Sequence, residues 1–196
     1  NPVMVDVVAL SGLQAAGDAE FNEHVWYSLP TMQQLATTLA DEFGAADAAN
    51  AARYTANAQQ FSSRLGELTT ETRTIATAHP GARAAVTEPV PGYLLAEAGL
   101  TDATPAEFTE AVEEDTDPPA SAVAQTLALF GPPDPVAVLV VNAQTTTPTT
   151  DQVRDAAQTG GVPVVEVTET LPEGTTDYAT WMGAQIDALA AALNGD

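Results

Sequence analysis

The sequence predicts an α/β fold with a parallel sheet flanked by helices, and three observations carry that expectation. Short β-branched apolar runs at residues 84 to 87, 136 to 141 and 162 to 167 alternate with helical patterns. The run 136 to 141 is almost wholly apolar, so both of its faces need cover, as in a parallel strand with helices on either side. Ahead of this alternation, Tyr54, Ala58, Phe61, Leu65, Leu68, Thr72 and Ile75 follow one another in alternating steps of four and three, which marks one face of a single long helix.

Taken in order, residues 3 to 10 form a β-branched apolar run that reads as a buried strand, ending in a loop from Ser11 to Glu23. Thr31 followed by Gln34 is a capping-box pattern, and Met32, Leu35, Leu39 and Phe43 keep helical spacing until Gly44, the expected stop. The regular stripe then predicts a helix over 47 to 78, roughly 45 Å long at 1.5 Å per residue. By its pattern it is either an ordinary amphipathic core helix or a strut joining two lobes. After His79-Pro80-Gly81 come the strand 84 to 87, a short helix over 92 to 98 and a capped helical start at Thr104-Pro105-Ala106-Glu107. A helix over 118 to 130, the strand 136 to 141, a helix over 149 to 159 and the strand 162 to 167 follow. Tyr178, Met182, Ile186, Leu189 and Leu193 mark a last amphipathic helix.

Composition excludes several classes of partner. The chain has 27 acidic residues against 5 basic ones, a formal net charge of -22, and all the basic residues are arginines. Nucleic-acid phosphates and anionic lipid headgroups would repel such a surface. With 45% hydrophobic residues the chain is globular and not an acidic disordered tail. It has no cysteine, so any metal must be held by nitrogen and oxygen donors. The opening residues lack the basic start and small-residue cleavage site of a signal peptide, and no apolar run approaches the roughly 20 residues that span a bilayer. Phosphate-loop, dinucleotide, zincin and serine-elbow motifs do not occur in the sequence.

In open parallel sheets ligands bind beyond the carboxyl ends of the strands. Glu88 and Glu169 fall just after two expected strands, and His24 lies in a loop able to face them. Singly, a histidine beside tryptophan reads as a packed residue and each glutamate as a solvated cap. Together they make one imidazole and two carboxylates, a donor set suited to zinc, manganese or ferrous iron. Asn142 and Gln144 follow a buried strand, where they either orient such ligands or satisfy loop backbone. His79, at the end of the long helix, reads as a partner of the helix carboxyl end or of solvent.

The wording around these residues is less generic. Asn22-Glu23-His24-Val25-Trp26, Thr87-Glu88-Pro89-Val90-Pro91-Gly92-Tyr93-Leu94-Leu95, Ala98-Gly99-Leu100, Ala111-Val112-Glu113, Val141-Asn142-Ala143-Gln144 and Thr168-Glu169-Thr170-Leu171-Pro172 occur in this order. The series resembles the zinc and manganese solute-binding proteins of bacterial ABC importers, the ZnuA-like or TroA-like cluster, from Asn22 to the C-terminus. The resemblance implies a two-lobed fold joined by a long helix, with the metal between the lobes. Residues 1–46 would be the remainder of an N-terminal lobe, 47–79 the linking helix and 80–196 the C-terminal α/β lobe. It implies His24 as the second histidine ligand, Glu88 where many relatives have a third histidine, and Glu169 where many have an aspartate. The family's first ligand lies upstream of the segment present here. Also implied are a divalent zinc or manganese ion as cargo, an ABC importer permease as partner, an extracytoplasmic, lipid-anchored location, and a binding role instead of an enzymatic one. A metal-dependent hydrolase and an acidic adhesin-like scaffold are the alternatives. An incomplete N-terminal lobe is further expected to uncover apolar surface along residues 3 to 10 and along Tyr54, Phe61 and Leu65, favouring self-association.

Overall fold

Residues 3 to 10, expected as a strand, do not join the sheet. The chain's structure is a computed structural model that describes residues 3–14 and 21–195. In it Val7–Ser11 forms a short helix, α1. The Asp6 carboxylate accepts the Ala9 N–H at 3.0 Å, and Gly12, at φ 64°, ends the helix in the left-handed region. A short apolar run has no period that separates strand from helix, so local caps decide. Val7 packs on the core, while Val3 and Met4 are exposed. Of the loop expected from Ser11 to Glu23, residues 15–20 lie outside the described residues.

Helix α2 spans Leu29–Ala46. Its cap is Ser28, whose hydroxyl accepts the Thr31 N–H at 3.3 Å, and not Thr31 as the pattern suggested; Pro30 fits the first turn, where no N–H is needed. The helix runs through Gly44, because this glycine serves packing and not termination: a Cβ there would sit 3.2 Å from the Ala51 Cβ. After a 3-10 turn at Ala48–Asn50, helix α3 covers Ala51–Ala78, about 42 Å at 1.5 Å per residue. Leu65, Leu68, Thr72 and Ile75 of the stripe are buried. Phe61 packs on Tyr178 and Tyr54 on Phe43, with ring centroids 5.8 and 5.6 Å apart. The stripe expected as an open self-association face is therefore covered from within, since α2 and the last helix of the chain lie against it.

The apolar runs pair as one parallel sheet. Strands β1 (Arg83–Val86), β2 (Thr101–Asp102), β3 (Val138–Asn142) and β4 (Val164–Val167) lie in the order β2-β1-β3-β4. Strand β2 is too short to leave a pattern in the sequence. Helix α4 (Gly92–Glu97) connects β1 to β2, and α5 (Ala106–Glu113) and α6 (Ala120–Ala128) connect β2 to β3. Helix α7 (Pro148–Gly160) connects β3 to β4, and α8 (Tyr178–Asn194) follows. The pleat divides the strands between two cores. Ala84, Val86, Val138, Val140, Val165 and Val167 join the core that contains Leu65, Leu68, Met182 and Ile186. Ala85, Leu139 and Val141 join the other, with Phe108, Val112 and Val153. Every residue of β3 is buried, which is why its sequence shows no polar alternation. The register sets Val86 beside Val140 and Asn142 beside Val167, so the carboxyl ends of β1, β3 and β4 finish along one edge.

Candidate metal centre

His24 reaches that edge from the N-terminal segment, at the entry of a 3-10 turn, Val25–Tyr27, and is 1% exposed. Asn22 sets the state of its ring. The Asn22 amide nitrogen donates to the Pro89 carbonyl at 2.8 Å, which identifies Oδ1 as the acceptor of that carboxamide. Oδ1 accepts the His24 backbone N–H at 3.0 Å and lies 2.8 Å from His24 Nδ1. This network assigns the proton to Nδ1, leaving the lone pair on Nε2. Burial holds the imidazole below its ordinary pKa, against the opposing pull of Glu169 and Glu23. A neutral ring with a directed lone pair is the form that binds a metal.

Glu88 follows β1 after Thr87 and is buried. Its carboxylate accepts a hydrogen bond from Asn142 Nδ2 at the end of β3. The Asn142 amide is itself oriented, because its Oδ1 accepts the Gln144 N–H at 3.0 Å. Burial pushes the Glu88 carboxyl up, hydrogen bonds from Asn142 and Thr145 draw it back, and the charges of Glu169 and Asp115 push it further.

Glu169 sits in the loop after β4, and that loop is clamped to the segment carrying His24. Trp26 Nε1 donates to the Glu169 carbonyl at 3.0 Å, the Tyr27 hydroxyl to the Thr168 carbonyl at 2.6 Å, and the Tyr178 hydroxyl to the Trp26 carbonyl at 2.6 Å. Gln144 closes the other side: its Oε1 accepts the Thr170 N–H at 2.9 Å and its Nε2 donates to the Thr170 hydroxyl at 2.9 Å. The Glu169 charge acts on His24, on Glu88 and on Glu113. The three residues expected at the site thus share one electrostatic neighbourhood. Glu88 and Glu169 do not follow adjacent strands, because β3 stands between β1 and β4 and places Asn142 in the gap.

A third carboxylate, Glu113 at the end of α5, was not among the expected site residues. Its Oε1 is 3.4 Å from His24 Nε2. Burial first, then the charges of Glu88, Glu23 and Glu169, push its carboxyl up to about 7. In the sequence it looks like any glutamate on an amphipathic helix, apart from its place in the Ala111-Val112-Glu113 motif; in the structure it stands in the last turn, where a carboxylate opposes the helix dipole. His79 takes no part: its Nε2 is 3.2 Å from Asn194 Oδ1, joining the ends of α3 and α8.

The edge therefore offers one imidazole lone pair facing the Glu113 carboxylate, with Glu88 and Glu169 in the same electrostatic neighbourhood. Among the described residues no group of three or more His, Asp or Glu side chains is gathered closely enough to hold an ion as placed.

The chain belongs to the ZnuA family, the periplasmic component A of the zinc-uptake complex, whose sequence profile matches residues 1–192. Among solved structures it is similar to the solute-binding protein FpvC of Pseudomonas aeruginosa in complex with Mn2+, at 22% identity over 89% of this chain and 62% of that one, with a TM-score of 0.70. The periplasmic zinc-binding protein TroA of Treponema pallidum is 18% identical over 94% of this chain and 70% of its own, with a TM-score of 0.70. The laminin-binding protein Lmb of Streptococcus agalactiae, described as a bifunctional protein with adhesin and metal-transporting activity, is 16% identical over 93% and 70%, with a TM-score of 0.74. The chain spans less than two thirds of the length of FpvC. A comparison with curated proteins finds no match.

Proposed function

We propose that the chain captures a divalent transition metal, zinc or manganese, for delivery to the membrane permease of an ABC importer, and that it works outside the cytoplasm. His24, Glu88 and Glu169 are the ligands, residues 1–46 and 80–196 belong to two lobes, and 47–79 is the helix between them. The observation that supports this reading best is the Asn22 network, which leaves the His24 lone pair on Nε2, 3.4 Å from the Glu113 carboxylate and within the field of Glu169 and Glu23. Nitrogen and carboxylate oxygen together suit both zinc and manganese, and family membership points to the same cargo. The role is binding, not catalysis: an imidazole and carboxylates along one edge suit a cation, and Asn142 and Gln144 act by holding Glu88 and the 169–170 loop.

Capture requires deprotonated donors, so protons compete with the metal. Release would follow when the permease parts the clamp between the segment carrying His24 and the loop carrying Glu169. Isothermal titration with Zn2+ and with Mn2+ tests the proposal. Wild-type chain should bind one ion, and His24→Ala, Glu88→Ala and Glu169→Ala should each weaken it at least about tenfold. Unchanged affinity in all three variants would remove the assignment.

A further inference from the structure

We infer that Glu113 is a further protein ligand of the captured ion, beside His24. The inference rests on the metal-capture reading and adds a residue from α5, an element that carries none of the three expected ligands.

Three independent features place it there. The first is distance and direction. Asn22 leaves a lone pair on His24 Nε2, and the neighbour in front of that lone pair is Glu113 Oε1 at 3.4 Å. With both groups deprotonated the two lone pairs gain nothing from contact, and a proton or a metal ion is what joins them. A metal ligated by both, at bond lengths near 2.0–2.2 Å, would lie between them with little side-chain movement.

The second is the way α5 ends. The Asp115 N–H donates to the Val112 carbonyl at 3.2 Å and the Thr116 N–H to the Ala111 carbonyl at 2.8 Å, the paired bonds of a Schellman turn. The residue in the left-handed position is Asp115, at φ 54°, where glycine is usual. This tight stop fixes the last turn of α5 and presents Glu113 at the edge. The third is placement. Glu113 is the last residue of α5, at the negative end of the helix, and its side chain is only 27% exposed. A carboxylate at a helix end of its own sign and partly withdrawn from water gains from a cation beside it. With Glu113 the donors in this segment become one nitrogen and three carboxylates, a set that suits zinc and manganese.

Co2+ is the probe, because its visible d–d absorption reports the ligands directly, and Zn2+ competition gives affinity. On the 196-residue chain, Glu113→Gln should lower affinity at least about tenfold and change the Co2+ spectrum. Glu113→Asp should recover part of both. Glu114→Gln removes an equal charge from the exposed neighbouring residue and should leave the spectrum unchanged. The inference is overturned if Glu113→Gln keeps the wild-type spectrum, whether affinity is retained or falls only as far as in Glu114→Gln, since its effect would then be charge alone. If the wild-type chain gives no Co2+ spectrum, or gives the same one after His24→Ala, the metal-capture reading itself fails and the further ligand with it.

Discussion

Removing the Asn22 carboxamide separates fold from chemistry at one residue. Asn22→Ala deletes three hydrogen bonds: the donor to the Pro89 carbonyl at 2.8 Å, the acceptor for the His24 N–H at 3.0 Å and the acceptor at 2.8 Å from His24 Nδ1. At about 1 kcal/mol net for each, with a further penalty for buried groups left unpaired, stability should fall by about 2–4 kcal/mol. For a chain of this size that corresponds to a fall in Tm of roughly 4–16 °C. The second effect is on metal. Without Oδ1 nothing holds the proton on Nδ1 or fixes the ring, and loss of such an orienting partner costs on the order of 10–100-fold in affinity. Asn22→Asp keeps an acceptor for His24 while losing the donor to Pro89, so it should lose stability but retain more of the affinity than Asn22→Ala. Thermal denaturation of the metal-free protein followed by circular dichroism measures the first effect, and zinc titration well below the Tm of each variant measures the second. Refutation would be an Asn22→Ala protein that binds zinc within threefold of wild type despite its lower Tm, since the tautomer would then not depend on Asn22.

Three further outcomes follow from the same geometry. Tyr27→Phe removes the hydroxyl that donates to the Thr168 carbonyl at 2.6 Å in a fully buried setting and should cost about 1–3 kcal/mol in urea denaturation; no change would mean that the clamp on the Glu169 loop is held elsewhere. Gly160→Ala would put a Cβ 2.2 Å from the Phe130 carbonyl oxygen and should destabilise by about 1–3 kcal/mol, whereas Gly66→Ala, in open space on α3, should stabilise by up to about 1 kcal/mol; equal effects in a denaturant titration would show that the α7 contact is not close. The pH dependences of apo stability and metal affinity should run in opposite directions. Glu113, raised to about 7 when folded, contributes stability that is lost as pH rises through 7, so the apo protein should gain Tm as pH falls from 8 to about 6.5, the unfolded histidine pKa. Below that, His24, held low when folded, offsets the gain because the unfolded chain takes up the proton more readily. Zinc affinity should fall across the same window as protons compete for Glu113, and a parallel rise of both quantities on acidification would contradict the assignment of these shifts.

The sequence by itself determined the elements whose partners are near in the chain or whose pattern is long. The α3 stripe, the wholly apolar β3 and the strand-helix alternation follow from periodicity, because burial on one face or on two leaves a count that can be read directly. The resemblance of the loops around His24, Glu88 and Glu169 pointed to one edge of the sheet, and Asn142 and Gln144 stood out by following a buried strand. Tertiary structure decided the rest. Within the run 3 to 10 the chain turns helical at Val7 because Asp6 and Gly12 cap Val7–Ser11, a choice that an apolar run cannot announce. Gly44 continues its helix because Ala51 lies against it. The chain order of the strands hides β3 between β1 and β4, so the separation of Glu88 from Glu169 appears only with the sheet. Glu113 is the clearest case: along the sequence it is one acidic residue among 27, and what sets it apart is the His24 lone pair 3.4 Å away, a juxtaposition made by folding residues far apart in the chain onto one edge. Charge and hydropathy record what a residue is; the field it sits in depends on neighbours that only the packed chain supplies.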